Sequence, residues 1–301
     1  MMKIILFGVL LLMQVSEVCA QTDTSVEVSK KNAENSDYLG KMAFVAENLG
    51  EDEPYLRVDD GKTQLTERRG LKISIPKLAP ETRQLSATEV FEKVKKSTVI
   101  FGTAYKCNKC DDTHMSHASG YIISEDGICV TNYHVLRGYV VETAGNKSMA
   151  LLVMLSDGRV FPVKEVLVCS EVNDLAVVKI DTGGDKLPAL ALGEAAKEGA
   201  QLFVLSHPRR LFYYFSNGMV AHNFISSSVS KDGEFRSTMA ITADYAAGSS
   251  GGPVVDIYGN LIGTVSSTNS IYYDQQRQTN LQMVVKNTVP VSCLKSLLIL
   301  E

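Results

Sequence analysis

The sequence predicts an all-β protein built from two antiparallel six-stranded β-barrels with short flanking helices. Short runs rich in Val, Ile, Leu and Thr recur along most of the chain, separated by Gly, Asn or Asp. Many short strands at such a spacing are typical of an all-β sandwich or barrel. A break near residues 181–186 divides the runs into two series of six, which indicates two barrels side by side.

A helix is expected just before the first strand. Ser86 and Glu89 fit a capping box, in which each side chain satisfies a backbone N–H of the other residue, and apolar residues follow at helical spacing to about Lys96. A short closing helix is expected within residues 291–300. The predicted strands are 98–104, 119–124, 129–132, 150–155, 160–168 and 175–180 in the first barrel, and 201–205, 218–223, 239–243, 253–256, 261–266 and 281–285 in the second.

Length and composition fit one such domain with additional N-terminal sequence. The chain has 301 residues, of which 45% are hydrophobic and 21% charged, enough for a sizeable core. The formal net charge is −4, and the Lys and Arg residues are scattered rather than clustered. A nucleic-acid partner is therefore not expected, because such proteins carry a basic patch.

The first twenty residues have the layout of a secretory signal peptide. Lys3 gives a positive start, an apolar run covers residues 4–15, and Ala20 follows as a small residue at the expected cleavage point. The run is well short of the roughly 20 residues needed to span a bilayer. We therefore expect export to a secreted or periplasmic location, with no stable membrane insertion after residues 1–20 are removed.

Residues 21–85 form a polar segment with little periodic apolar pattern. Runs such as residues 29–32 and 50–54 are typical of loop or disorder. The alternation at residues 71–75 predicts one strand. A propeptide, a flexible arm and an interaction tail all fit this segment, and the globular domain is expected to begin at Ser86 and to occupy residues 86–301.

Five cysteines remain once the signal peptide is removed, an odd number in a compartment that favours oxidation. Cys107 and Cys110 are followed closely by His114 and His117. Two Cys and two His are the ligand set of a structural zinc site, although the spacing of the histidines is tight. A local disulfide and an unpaired polar loop remain open as alternatives, and no metal or cofactor is assigned to the chemistry.

An acyl-transfer enzyme needs a nucleophile, a base, a group that orients the base, and backbone donors for the oxyanion. In residues 248–253, Gly-Ser-Ser-Gly-Gly-Pro, the glycines allow a tight turn that points Ser250 outward. The strands predicted directly after this run weigh against an ordinary Gly/Ser turn. His134 at the end of a strand could be structural, and Asp174 at the start of another could merely cap a turn.

Together these motifs resemble the trypsin-like peptidases, and within them the HtrA/Deg branch. In that branch Thr-Asn-x-His-Val carries the base, Asp-Leu-Ala the orienting aspartate, and Gly-Asn-Ser-Gly-Gly-Pro the nucleophile. The matching residues here are His134, Asp174 and Ser250, and the resemblance spans about residues 86–298. It implies the two-barrel trypsin-like fold and a serine endopeptidase that cleaves proteins or peptides through an acyl-enzyme intermediate.

The resemblance also implies further site residues. The oxyanion hole falls on the backbone N–H groups of Gly248 and Ser250, so Ser249 in place of the family's Asn leaves both donors present. Ser266 matches the strand that pairs with the substrate backbone. Asp244 lies where trypsin has its pocket aspartate, but it also matches a structural position of the HtrA branch. Val265 replaces the His of acid-specific relatives, so cleavage after Glu is not expected.

Two alternatives to a peptidase were weighed. A catalytically inactive protease-fold binding protein would keep the barrels without the reaction, although no member of the triad is missing. An esterase of the α/β-hydrolase type would carry its triad in the order Ser, Asp, His, whereas this chain has His, Asp, Ser. No sequence remains after the closing helix for a PDZ domain, so PDZ-dependent peptide sensing is not expected.

Overall fold

The computed structural model describes residues 37–50, 52–141, 145–226 and 235–301. The chain divides into two compact units, Met1–Lys41 and Met42–Glu301. Of the first unit, only residues 37–41 are described, as the start of a helix. The predicted signal peptide, residues 1–20, lies outside the described residues.

The second unit contains two closed six-stranded barrels, as the sequence predicted. All twelve predicted runs overlap a barrel strand, and all barrel strands pair antiparallel with their neighbours. The first barrel consists of β2 (Thr98–Cys107), β3 (Thr113–Ser124), β4 (Ile128–Thr131), β5 (Asn146–Met154), β6 (Val160–Ser170) and β7 (Leu175–Ile180). The second consists of β8 (Gln201–Ser206), β9 (Tyr214–Ser226), β10 (Arg236–Ile241), β11 (Pro253–Val255), β12 (Leu261–Asp274) and β13 (Thr279–Pro290).

Each barrel closes around its own apolar core. In the first, Phe101, Ile122 and Val178 are buried in one cluster. In the second, Val204 and Met239 belong to a separate cluster. Period-two alternation explains this arrangement, because successive side chains of a strand point to opposite faces and only one face lines the barrel interior.

Five α-helices flank the barrels among the described residues: α1 (Tyr38–Glu47), α2 (Val58–Glu67), α3 (Ala87–Ser97), α4 (Tyr133–Val140) and α5 (Val291–Lys295). The predicted capping box at α3 is confirmed, with Glu89 N donating to Ser86 Oγ at 3.3 Å and Ser86 N donating to Glu89 Oε2 at 2.8 Å. None of the described helices combines the length and apolar character needed to cross a membrane.

The C-terminal end corrects one prediction. The expected closing helix ends at Lys295, and the chain continues into strand β14 (Leu298–Leu300). This strand pairs in parallel with β1 (Ile73–Ile75), which lies within the single strand predicted for the N-terminal segment. The apolar run after Lys295 therefore completes a two-stranded sheet instead of extending the helix.

The region from Val58 to Glu67 is a helix, within the polar segment in which the sequence analysis found little periodic apolar pattern. Leu56 and Leu65 are buried in the core cluster of the first barrel. Leu56 N donates to Val163 O at 2.7 Å, and Val166 N donates to the side chain of Gln64 at 2.7 Å. Within the helix only Gly61 and Leu65 are buried, too few residues to produce a clear helical pattern, and tertiary packing rather than propensity supplies most helical stability.

Candidate active site

His134 lies in the first turn of α4, which follows β4 after a single residue, Asn132. The neighbouring side chains Tyr133 and Leu136 are buried and fix the orientation of the helix on the first barrel. The imidazole of His134 is left with 48% of its side-chain surface exposed. The base candidate is therefore held by a packed helix but faces solvent.

Asp174 occupies the turn that precedes β7 and has a φ of +52°. This left-handed conformation is uncommon for residues other than Gly but is tolerated by Asp. Asn132 holds the turn by donating from Nδ2 to the backbone oxygen of Asp174 at 2.8 Å. The strained turn aims the carboxylate of Asp174 toward α4.

The carboxylate of Asp174 is only 8% exposed as a residue and accepts four hydrogen-bond contacts. His134 Nδ1 lies 2.9 Å from Oδ2 and 3.0 Å from Oδ1, and the backbone N–H of His134 donates to Oδ1 at 3.0 Å. Ser266 Oγ donates to Oδ2 at 2.6 Å. Burial alone would raise the pKa of Asp174, but hydrogen bonding and charge attraction from His134, with Ser266, lower it below its ordinary value.

The loop that carries Ser250 depends on two glycines with positive φ. Gly248 has φ +98°, and a Cβ there would lie 2.6 Å from the backbone oxygen of His207. Gly251 has φ +84°, and a Cβ there would lie 2.3 Å from the backbone oxygen of Ser119. Only glycine fits such close backbone contacts, which explains the glycines on both sides of Ser250.

Ser119 on β3 fastens this loop of the second barrel to the first barrel. Its backbone N–H donates to Ser250 O at 2.8 Å, and its hydroxyl donates to Gly248 O at 2.9 Å. The same hydroxyl accepts from the backbone N–H of His207 at 3.0 Å. Thr131 Oγ1 donates to Ser119 O at 2.8 Å, three residues before His134. Ser119 thus ties the nucleophile candidate to the strand end that leads to the base candidate.

The same loop also pairs with β12. Gly251 N donates to Val265 O at 2.9 Å, and Val265 N donates to Gly252 O at 2.9 Å. The next residue of β12 is Ser266, whose hydroxyl donates to Asp174. The His134–Asp174 pair and the Ser250 loop are therefore linked through the neighbouring residues Ser266 and Val265 of β12. Within the described residues no hydrogen bond joins the imidazole of His134 to Ser250 Oγ, and such contacts are often long before substrate binds.

The backbone N–H groups of Gly248 and Ser250 donate to no protein acceptor among the described residues, whereas those of Ser249, Gly251 and Gly252 each have one. Two free donors on either side of a serine are available to an external oxygen atom. The sequence analysis predicted these two donors for an oxyanion hole, and that role remains a proposal.

Arg236 on β10 is a site residue that the sequence analysis missed. Its Nη2 donates to Ser266 Oγ at 2.5 Å and lies 3.9 Å from Asp174 Oδ2. Since Arg236 donates to the Ser266 hydroxyl, that hydroxyl is left to donate to Asp174. No sequence signal marks Arg236, because the residue lies at the start of an ordinary strand far from all three motifs.

Asp244 is not a buried, unpaired carboxylate. Its side chain is 79% exposed, and Lys286 Nζ lies 3.5 Å from Oδ1. Lys286 also donates to Tyr245 O at 2.5 Å. Asp244 and Lys286 line a cavity of about 850 Å³ on the second barrel, together with Arg236, and the described residues of its lining do not include His134, Asp174 or Ser250. The neighbouring lysine weakens any attraction of Asp244 for a basic substrate side chain.

The Cys/His group of the sequence analysis is only partly assembled. Cys107, Cys110 and His114 place their ligand atoms within 4.8 Å of one another. The pKa of the Cys107 thiol is lowered to about 7, chiefly because the backbone N–H of Lys109 donates to its sulfur. His117 lies elsewhere, with Nε2 2.9 Å from the backbone oxygen of His207.

The remaining described cysteines, Cys129, Cys169 and Cys293, are buried. Burial raises the pKa of all three thiols, that of Cys169 to about 11. They are therefore protonated and poorly reactive at neutral pH.

Known proteins that are similar to this chain are trypsin-like peptidases and serine proteases. The family model of the trypsin-like peptidase domain matches residues 118–263. The chain is 34% identical over 153 residues to a probable periplasmic serine endoprotease DegP-like of Halomonas elongata, covering 49% of this chain and 28% of that protein. It is 32% identical over 188 residues to serine protease HTR4 of Bos taurus, covering 58% of this chain and 35% of that protein. The chain thus spans less than half the length of these relatives.

Solved structures show the same fold. The HtrA-type protease AlgWS227A with tripeptide aligns with a TM-score of 0.53 and 23% identity, covering 70% of this chain and 62% of that chain. Deg5 aligns with a TM-score of 0.51 and 23% identity, covering 69% of this chain and 90% of that chain.

The two closed barrels have the trypsin-like fold, and residues 118–263 match the trypsin-like peptidase domain. Over about half of its length, the chain is similar to serine proteases of the HtrA/Deg group.

Proposed function

We propose that the protein is an exported serine endopeptidase in which Ser250 is the nucleophile, His134 the general base and Asp174 the group that orients the base. The observation that carries the proposal is the hydrogen bonding around Asp174. Its buried carboxylate accepts from the backbone N–H of His134, from Nδ1 of the His134 ring and from the hydroxyl of Ser266. This arrangement supports a fixed imidazole whose other nitrogen is free to act on Ser250.

The first chemical step follows from these contacts. Because Nδ1–H of His134 is held by Asp174, the tautomer has a free lone pair on Nε2. Nε2 takes the proton of Ser250 as Oγ attacks the scissile carbonyl, and it then returns that proton to the leaving amine. The depressed pKa of Asp174 keeps its carboxylate charged, so it stabilises the imidazolium that forms.

Negative charge then develops on the carbonyl oxygen of the substrate. The free backbone N–H groups of Gly248 and Ser250 are the donors that we assign to this oxygen. Backbone donors need no reorganisation during the reaction, and losing one such donor in comparable sites costs about 10²–10³ in turnover. Their geometry depends on Ser119, which holds both carbonyls of the loop.

The edge of β12 offers a place for the substrate backbone. β11 pairs with β12 only as far as Thr264, and the loop that carries Ser250 forms hydrogen bonds with the backbone of Val265. A register shift against β13 then sets Ser266 apart from the regular ladder. An extended peptide added along Ser266 and the following residues would gain main-chain hydrogen bonds with little dependence on sequence. This supports protein or peptide substrates.

Export is part of the proposal and is supported by the signal-peptide pattern of residues 1–20. The H. elongata relative carries the word periplasmic in its name. A periplasmic or secreted location for this chain agrees with both observations.

The test compares peptide-library turnover by the purified full chain with turnover by Ser250→Ala. We expect Ser250→Ala to reduce the rate by about a millionfold, the scale seen for other triad proteases. Ser116→Ala, which removes an exposed hydroxyl on β3, serves as the matched control and should retain the rate. Full turnover by Ser250→Ala, or no cleavage of any peptide by the folded wild type, would favour the inactive binding protein.

A further inference from the structure

The hairpin between β2 and β3 gathers three soft metal ligands. Cys107 ends β2, Cys110 lies in the five-residue loop, and His114 is the second residue of β3. Cys107 Sγ lies 3.3 Å from Cys110 Sγ, and Cys110 Sγ lies 3.1 Å from His114 Nε2. A tetrahedral Zn²⁺ with Zn–S bonds of about 2.3 Å separates its sulfurs by about 3.8 Å, so small movements of exposed side chains would reach that geometry.

The loop backbone favours sulfur as an acceptor at Cys107. The N–H of Lys109 donates to Cys107 Sγ at 3.4 Å. Donors aimed at sulfur stabilise a metal-bound thiolate, which is the form in which Cys binds zinc.

His114 is held in place independently of the cysteines. Its ring stacks on Tyr105, its cross-strand neighbour, with centroids 5.4 Å apart and planes 28° apart. His117, three residues further along the same strand, points to the opposite face because side chains alternate. This is why the two-Cys, two-His set suggested by the sequence does not form.

We propose that Cys107, Cys110 and His114 bind one Zn²⁺ ion in a three-ligand site at the tip of the β2–β3 hairpin. No fourth side-chain ligand joins them among the described residues. The fourth position is therefore taken by water or by an external ligand, as in zinc sites that keep one position open. Thiolate and imidazole together select zinc over magnesium or calcium, which prefer oxygen.

The site is separate from the peptidase chemistry proposed above. The crevice begins at Ser119, five residues beyond His114, and none of the three ligands contacts the triad in the described structure. The zinc proposal can therefore fail without affecting the proposed function, and the reverse also holds.

The test measures zinc in the full, untagged chain after reduction, equilibration with Zn²⁺ and removal of unbound metal. We expect about one zinc per chain, and with Co²⁺ in its place a thiolate-to-cobalt charge-transfer absorption. Cys110→Ser and His114→Ala should each lose the metal and the absorption. The matched control, His117→Ala, should keep both. Binding to the folded state only should also raise the melting temperature of the wild type in Zn²⁺, but not that of Cys110→Ser.

Three results would overturn the proposal. One is a reduced wild type that retains no zinc. Another is unchanged zinc content in Cys110→Ser or His114→Ala, both checked for folding by circular dichroism. The third is a Cys107–Cys110 disulfide in the isolated protein combined with no zinc binding after reduction, which would identify a redox pair instead.

Discussion

The two barrels have the same number of strands but differ in how they are packed. Among the described residues, the core cluster of the first barrel contains 21 buried residues and that of the second contains ten. The difference arises partly from the N-terminal segment and α4, which add Leu56, Leu65 and Tyr139 to the first cluster. The proposed base and its orienting aspartate therefore lie on the more heavily packed barrel.

The proposed nucleophile has a different kind of support. Ser250 lies in a loop of the second barrel, and buried hydrogen bonds to the first barrel hold that loop. Tyr121 and Thr264 add a buried hydroxyl pair at 2.7 Å, and His207 Nε2 bonds Val99 O at 3.1 Å. Directional bonds of this kind specify one register between two surfaces, which apolar contact alone does not do. Apolar packing therefore supports the part of the site that carries His134 and Asp174, whereas hydrogen bonds hold the loop that carries Ser250.

The largest expected effect is on turnover and concerns Asp174, on the more heavily packed first barrel. Asp174→Asn should lower turnover about 10⁴-fold, because the neutral amide no longer fixes the imidazole tautomer or stabilises its charge. Steady-state kinetics on a cleavable peptide measure this. Asp181→Asn, a partly exposed aspartate just after β7, is the control and should stay within about twofold. A loss of less than about tenfold in Asp174→Asn would mean that this carboxylate does not orient the base.

The next largest expected effect is on stability and concerns the packing of the N-terminal segment against the first barrel. Leu65→Ala should reduce the free energy of unfolding by about 2–5 kcal/mol, because it leaves a cavity in the first core. Leu71→Ala, at a position 47% exposed, should change it by no more than about 0.5 kcal/mol. Chemical denaturation of both variants checks the pair. Equal and small effects would show that the segment is a dispensable arm, as a propeptide would be.

The hydrogen bonds between the two barrels include those of the buried His207, and this residue predicts a pH dependence of stability. Burial lowers the pKa of His207 to about 3 from an ordinary 6.5, so the unfolded chain takes up the proton more readily between these values. Stability from this group is complete above pH 6.5 and is lost as the pH falls. The loss between pH 7 and pH 5 should be about 2 kcal/mol.

Replacing His207 isolates this contribution from that of other titrating groups. His207→Gln keeps a donor for Val99 O but does not titrate, so its stability should fall by about 2 kcal/mol less than wild type over the same range. Denaturation curves at the two pH values give the difference. Identical pH dependence in both proteins would show that His207 is not buried in the neutral form.

The smallest expected effect concerns Asp244. Because Lys286 lies beside it and the carboxylate is largely exposed, Asp244→Asn should change the preference for basic residues at the cleavage site by less than about twofold. Cleavage profiling of a peptide library measures that preference. A loss of more than about tenfold for substrates with Arg or Lys would instead make Asp244 the specificity residue.

The sequence was sufficient for the barrels because their strands carry local signals. The run Leu175–Ile180 is uninterrupted and rich in Val, and its predicted bounds match those of β7. The start of β3 was missed because His114 and Ser116 are polar and partly exposed, so the alternation there does not look like a strand. Helix α2 was missed for a related reason, since Leu65 is its only buried leucine and one such residue makes no helical pattern in the sequence.

The site was predictable only where a motif is contiguous. His134, Asp174 and Ser250 each lie in a short pattern; the structure joins His134 to Asp174 directly, and the role of Ser250 stays a prediction. Ser119 and Arg236 lie in no pattern. Ser119 contacts Gly248 across 129 positions and Arg236 contacts Ser266 across 30, so neither role follows from local spacing.

The most direct test of the account is covalent labelling of the full chain with a fluorophosphonate, with the modified residue located by peptide mass mapping. The account predicts one adduct, on Ser250 and not on its neighbour Ser249, and little labelling in His134→Ala, which lacks the base. Labelling of Ser250 that is as fast in His134→Ala as in wild type, or a folded wild type that never reacts, would contradict it.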